Sequence, residues 1–122
     1  EAPERTCRFI QLEHVDAIRD LDSMLQIQGI DGFIVGPCDL SGSIGHLNEI
    51  FHPEVLALID EAIAKCREAG MPIGVAVGAN SEEDVRFWFE RGFQFISAGS
   101  DISAIVSTAK KQAEMMRRVF HN

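Results

Sequence analysis

The stretch FIVGPCDLSGSIG, residues 33–45, sets a short apolar run against a Gly-Pro pair, a lone acid, Asp39, and a string of small residues. An apolar run of this length closed by Gly36-Pro37 reads as a buried strand, and the glycine-rich segment behind it as a turn. A strand that ends by releasing a carboxylate needs something for that carboxylate to meet. A second acid, Glu13, closes the upstream run RFIQLEH, residues 8–14.

Outward from these two runs the pattern repeats. CRFIQLE leads to a helical stripe at Ile18, Leu21, Met24 and Leu25, and GFIV leads, after a longer loop, to Val55, Ile59, Ala62, Ile63 and Cys66. The second stripe opens at His52-Pro53, with proline suited to a first helical turn, and closes at Gly70. PIGVAV leads to Ser81-Glu82-Glu83-Asp84, a capping-box-like start, then Val85, Trp88 and Phe89, closed by Gly92. FQFIS leads to Ile102, Ile105, Val106, Ala109, Ala113, Met116 and Phe120. Strands that alternate with helices lie parallel, because each helix carries the chain back across the sheet. The predicted fold is therefore α/β, four strand–helix units, either an open doubly wound sheet or half of a (β/α)8 barrel. RFIQLE favours the barrel: Ile10 and Leu12 share one face, while Phe9, Gln11 and Glu13 share the other, which turns polar at the strand's C-terminal end. Barrel enzymes keep their active sites there.

At 122 residues and 46% hydrophobic composition the chain is long enough for one core and is read as a single partial domain, 1–122. It opens on Glu1 and enters a strand almost at once, as a piece of a longer chain would. With 11 Lys and Arg against 19 Asp and Glu the net charge is -8, which disfavours nucleic acid and anionic membranes as partners. Cys7, Cys38 and Cys66 are odd in number and lack CxxC spacing, consistent with reduced thiols and a cytoplasmic location.

Glu13 and Asp39 follow neighbouring parallel strands, so both carboxylates arrive at one end of the sheet. There they share a divalent ion or serve as ordinary acids at helix starts; spacing alone leaves both readings open. Oxygen ligands completed by water suit Mg²⁺, with Mn²⁺ as a substitute.

The string IQLEH…GIDGFIVGPCDLSGSIG…HPEV resembles the metal-dependent pyruvate aldolases of the HpcH/HpaI aldolase and citrate lyase family over nearly the whole chain. The resemblance implies the C-terminal half of a TIM barrel. It also implies a class II carbon–carbon lyase that splits a 2-keto-4-hydroxy acid into pyruvate and an aldehyde. It makes Glu13 and Asp39 the protein ligands of the metal. It gives the substrate Gln11, Gly36, Pro37, Cys38 and Asp39, with the backbone N–H groups of Cys38 and Asp39 facing the pyruvate carboxylate. Cys38 stands where many relatives carry alanine and is expected to be a small buried thiol. His14 is expected in a loop hydrogen bond and His52 as a helix cap. His46 is expected to fold its loop or border the aldehyde end of the pocket.

The family's substrate-binding arginine and histidine base are implied to come from earlier strands, so no catalytic residue is assigned here. No Lys or Arg of this chain falls in a loop after a strand. The last helix is expected to pack across a subunit interface in a homo-oligomer. Without four further strands, Val75, Val77 and Ile96 are expected to be exposed. Two alternatives stand beside the aldolase: a lyase of the citrate lyase or malyl-CoA lyase type, and a non-catalytic α/β assembly module.

Overall fold

In a computed structural model the described residues run from 6 to 120. Strands β1 (Phe9–Leu12), β2 (Gly32–Val35), β3 (Ile73–Ala79) and β4 (Phe95–Ala98) form one sheet in the order β1-β2-β3-β4, parallel throughout. The helices are α1 (Val15–Arg19), α2 (Leu21–Met24), α3 (Pro37–Ser43), α4 (Pro53–Glu68), α5 (Glu82–Arg91) and α6 (Asp101–Phe120). A strand order that never reverses means that every crossover steps the same way. Right-handed crossovers then put their helices on one face, as in a barrel wall, whereas a doubly wound sheet reverses its order and covers both. The chain is thus four consecutive strand–helix units with the architecture of half of a (β/α)8 barrel.

The strand register sorts the side chains. Leu12 pairs with Val35 and Val35 with Val75, and all three are fully buried under the helices, beside Phe33 and Ile73. From α4 the stripe Val55, Ile59, Ala62, Ile63 and Cys66 meets them, and Trp88 and Phe93 complete the core. The opposite face carries Phe9, Gln11, Ile34 and Phe95. There the Phe9 and Phe95 rings meet edge to face, 5.0 Å between centroids. Any Cβ at Gly32 would collide with Phe9, and any Cβ at Gly74 with Phe95, so these two glycines let the rings lie over the central strands.

Three expectations are corrected here. Val75 is buried and Val77 and Ile96 are half-buried against the core, because Val75 and its partner Ile96 point to the helical face rather than the open one. The loop after β2 is not open throughout: Pro37 at the first helical position starts α3, which buries Pro37, Leu40 and Ser41 at i, i+3, i+4 spacing. The first predicted helix breaks at Asp20 into α1 and α2. Other boundaries hold. Ser81 Oγ accepts from the Asp84 N–H at 3.1 Å, and Gly92 ends α5 at φ 116°, a left-handed value suited to glycine.

α6 has no buried residue: Ile102, Ile105, Val119 and Phe120 are each about 70% exposed. No helix among the described residues is long and apolar enough to cross a membrane.

Lys65 fastens the helical layer. Its Nζ donates to the Ile18 carbonyl at 3.3 Å and pairs with Asp22 at 3.1 Å and Glu61 at 3.0 Å, joining α1, α2 and α4. Hydrogen bonds to Glu61 and then Asp22 raise its pKa, against an opposing desolvation. A raised ammonium pKa contributes stability that is complete below the ordinary lysine value and is lost as pH rises past it. Lys65→Met is expected to lower unfolding free energy by about 1 kcal/mol at neutral pH, the sum of two modest ion pairs. The difference from wild type should shrink in urea titrations at strongly alkaline pH.

Candidate active site

β1 delivers Gln11 and Glu13, and β2 delivers Gly36 beside them. The Gly36 N–H donates to the Leu12 carbonyl at 2.9 Å, carrying the β1–β2 pairing past the end of both strands. A Cβ at Gly36 would stand 3.1 Å from Gln11 Nε2, 3.3 Å from Glu13 Cβ and 3.6 Å from Glu13 Oε2. The missing side chain at 36 is therefore what lets Gln11 and Glu13 lean across the end of β2.

Asp39 is the third residue of α3, and that short helix is tightly fixed. Ser41 Oγ donates to the Cys38 carbonyl at 2.6 Å, Ser43 Oγ donates to the Leu40 carbonyl at 2.7 Å, and the Val15 N–H donates to Ser43 Oγ at 3.0 Å. The last bond ties the end of α3 to the corner that Glu13 occupies. Both carboxylates are exposed. Neither caps a helix: the α1 cap is His14, whose Nδ1 accepts from the Asp16 N–H at 3.2 Å, and the α3 cap is Gly36, which has no side chain to offer. The N–H groups of Cys38 and Asp39 lie in the first turn of α3, where helix geometry supplies no intrahelical acceptor.

Cys38 is exposed, contrary to the expected buried thiol. The buried face of α3 is occupied by residues 37, 40 and 41, so residue 38 falls on the outer side. Cys66 is the buried thiol, and its burial pushes its pKa up to about 11. His52 caps α4, as expected, its Nδ1 accepting from the Glu54 N–H at 3.3 Å, whereas His14, expected in a loop hydrogen bond, caps α1. His46 lies in the loop between α3 and α4 and stacks on His52 with 3.5 Å between ring centroids.

At the same end of the sheet a groove of about 910 Å³ runs between the ends of β3 and β4 and the start of α6, lined among others by Asn80, Ser100, Asp101, Ser107 and Lys111. The sequence reading assigned none of these. Asn80 follows β3 directly and Ser100 comes two residues after β4, and that position was the available signal. Lys111 carried none, since it reaches the groove from the third turn of a helix.

The sequence profile of the HpcH/HpaI aldolase/citrate lyase family matches residues 1–108. The chain belongs to this family. It is 34% identical over 112 residues to a hydroxypyruvate/pyruvate aldolase of Pseudomonas aeruginosa, covering 92% of this chain and 41% of that protein. It is 32% identical over 111 residues to a 2-dehydro-3,6-dideoxy-6-sulfogluconate aldolase of Pseudomonas putida, covering 91% of this chain and 43% of that one. Among solved structures, the HpcH/HpaI aldolase of Desulfitobacterium hafniense DCB-2 superimposes with a TM-score of 0.83 at 28% identity, over 94% of this chain and 44% of the other. The chain spans about two-fifths of the length of the curated relatives it matches.

The cysteine environments generate a test. At pH 8 a thiol reagent is expected to label Cys7 and Cys38 rapidly in the HpcH/HpaI chain and to spare Cys66 until the chain unfolds. Mass spectrometry of labelled peptides reads the order directly, and early modification of Cys66 would contradict the packing of α4.

Proposed function

We propose that the chain supplies the metal-binding and pyruvate-binding part of a class II aldolase, which cleaves a 2-keto-4-hydroxy acid to pyruvate and an aldehyde. The observation that supports this reading is that Glu13 and Asp39 are two exposed carboxylates that follow the C-terminal ends of adjacent parallel strands, with Gln11 and Glu13 leaning over Gly36. A divalent cation would neutralise two carboxylates at one end of adjacent strands, and an all-oxygen donor set open to water fits Mg²⁺ or Mn²⁺.

When bound, such an ion supplies Lewis-acid stabilisation of charge developing on a keto oxygen. The chain's own residues do the rest of the positioning. Glu13 and Asp39 hold the ion, Gln11 donates toward a substrate oxygen or a ligand water, and Gly36-Pro37 aims the N–H groups of Cys38 and Asp39 at a carboxylate. The cation and the proton-transferring base that the cleavage also needs are not assigned to this chain. The apolar face of α6 is the proposed subunit contact of a homo-oligomer; its exposed Ile102, Ile105, Met115 and Phe120 support that reading.

In the intact enzyme, Asp39→Asn or Glu13→Gln is expected to lower retro-aldol turnover by about 10²–10³-fold, the scale of removing one main electrostatic stabiliser. Thorough chelation should abolish it and Mg²⁺ or Mn²⁺ restore it. Full activity after chelation would rule the reading out. The 122-residue chain alone is expected to release no pyruvate and to self-associate in light scattering. A stable monomer that cleaves the keto acid unaided would show that the base lies within this chain.

A further inference from the structure

Apart from Glu13 and Asp39, one group of three side chains among the described residues gathers metal-binding atoms. His46 and His52 stack with ring planes 19° apart, and His46 Nε2 lies 3.9 Å from Glu54 Oε2. Donor atoms from His46, His52 and Glu54 all fall within 4.8 Å of one another. Glu49 stands on the other side of His46, its Oε2 3.8 Å from Nδ1, so the surroundings favour a cation.

We propose that His46, His52 and Glu54 form a site for a divalent transition metal ion of the Zn²⁺ type, distinct in its chemistry from the all-carboxylate pair at Glu13 and Asp39. Two imidazoles and one carboxylate suit a borderline ion and are a poor set for Mg²⁺, which keeps to oxygen. Three protein donors leave a position for water. Metal bonds of about 2.0–2.2 Å at tetrahedral angles require donors roughly 3.3 Å apart, so donors now within 4.8 Å must draw closer by rotation of the three side chains, the two rings splaying from their stack.

The backbone is already held for that rotation. The His46 N–H donates to the Ser41 carbonyl at 2.8 Å and the His46 carbonyl accepts from the Glu49 N–H at 2.8 Å, while His52 caps α4 and Glu54 lies in its first turn. One local exchange accompanies binding. His52 Nδ1 now accepts a long bond from the Glu54 N–H, and its proton therefore sits on Nε2. Metal on Nδ1 replaces that bond, and metal on Nε2 displaces the proton to Nδ1 and ends it. The ion would fasten the α3–α4 loop to α4. Next to His52, Phe51 stacks near the single tryptophan, Trp88, with 5.9 Å between ring centroids, so Trp88 reports on the loop.

The test is Co²⁺ and Zn²⁺ binding to the chain, followed by the visible absorption of tetrahedral Co²⁺ and by Trp88 emission. His52→Asn keeps a good helix cap and His46→Phe keeps an aromatic stack, so both variants remove a donor without removing the packing. Each is expected to weaken Co²⁺ at least about tenfold. The double variant Glu13→Gln, Asp39→Asn is expected to leave the Co²⁺ band unchanged. Binding should weaken as pH falls, because both rings must be neutral to ligate. Absence of a tetrahedral band in the wild type, a band indifferent to both histidine variants, or its loss in the double carboxylate variant would each overturn the proposal.

Discussion

The parallel pairing of β1 with β2 is the constraint on which the site depends. Its last link, the Gly36 N–H to the Leu12 carbonyl, fixes where both strands stop and thus places Glu13 beside Gly36. A shift of one residue would turn Gln11 and Glu13 toward the helices and Leu12 toward the open face, because side chains alternate with a period of two. The buried trio Leu12, Val35 and Val75 resists that shift. Burying a leucine side chain is worth about 1.5–3 kcal/mol, so turning Leu12 out from against Val35 would cost more than a typical polar contact at the site returns. Hydrophobic packing on one face of the sheet therefore holds the chemistry on the other.

Glycine does the complementary work on the open face. Gly32 and Gly74 accept the rings of Phe9 and Phe95, and Gly36 accepts the polar pair from β1. The same device serves two purposes: near the N-terminal ends of the strands it makes an apolar layer, and past their C-terminal ends it opens a polar corner. The transition runs from Phe9 through Gln11 to Glu13, alternate residues along β1 and just past its end.

Much of this was legible in the sequence because it follows from local periodicity. The Val55 to Cys66 stripe, the Pro53 and Ser81 helix starts and the Gly92 stop are short-range signals, and each appears where its residues require it. Face assignment in the central strands was harder. IGVAVGA, residues 73–79, is apolar or small on both sides, so nothing in it marks Val75 as helix-facing; only its register with Val35 does. Cys38 failed for a related reason. Its surroundings read as a turn, and the i, i+3, i+4 set of Pro37, Leu40 and Ser41 that turns Cys38 outward becomes visible only once α3 is known to be helical. The pairing of His46 with His52 depends on the fold of a nine-residue connection, 44–52, which carries no periodic signal.

α4 and α6 show how far periodicity reaches. Both are long amphipathic helices that follow a strand, and both carry apolar residues at helical spacing. In α4 that stripe lies under the sheet and is buried from Val55 to Cys66, whereas in α6 the corresponding residues remain 44% to 72% exposed. Amphipathicity states that a helix has a face to bury, but not what it buries it against. For α4 the answer is local, because the strands before and after it are both in the sheet and Lys65 pins it to α1 and α2. α6 follows β4, and its stripe meets no comparable surface among the described residues. That exposed stripe is what the proposed subunit contact would cover, whereas the proposed loop clip draws on the start of α4.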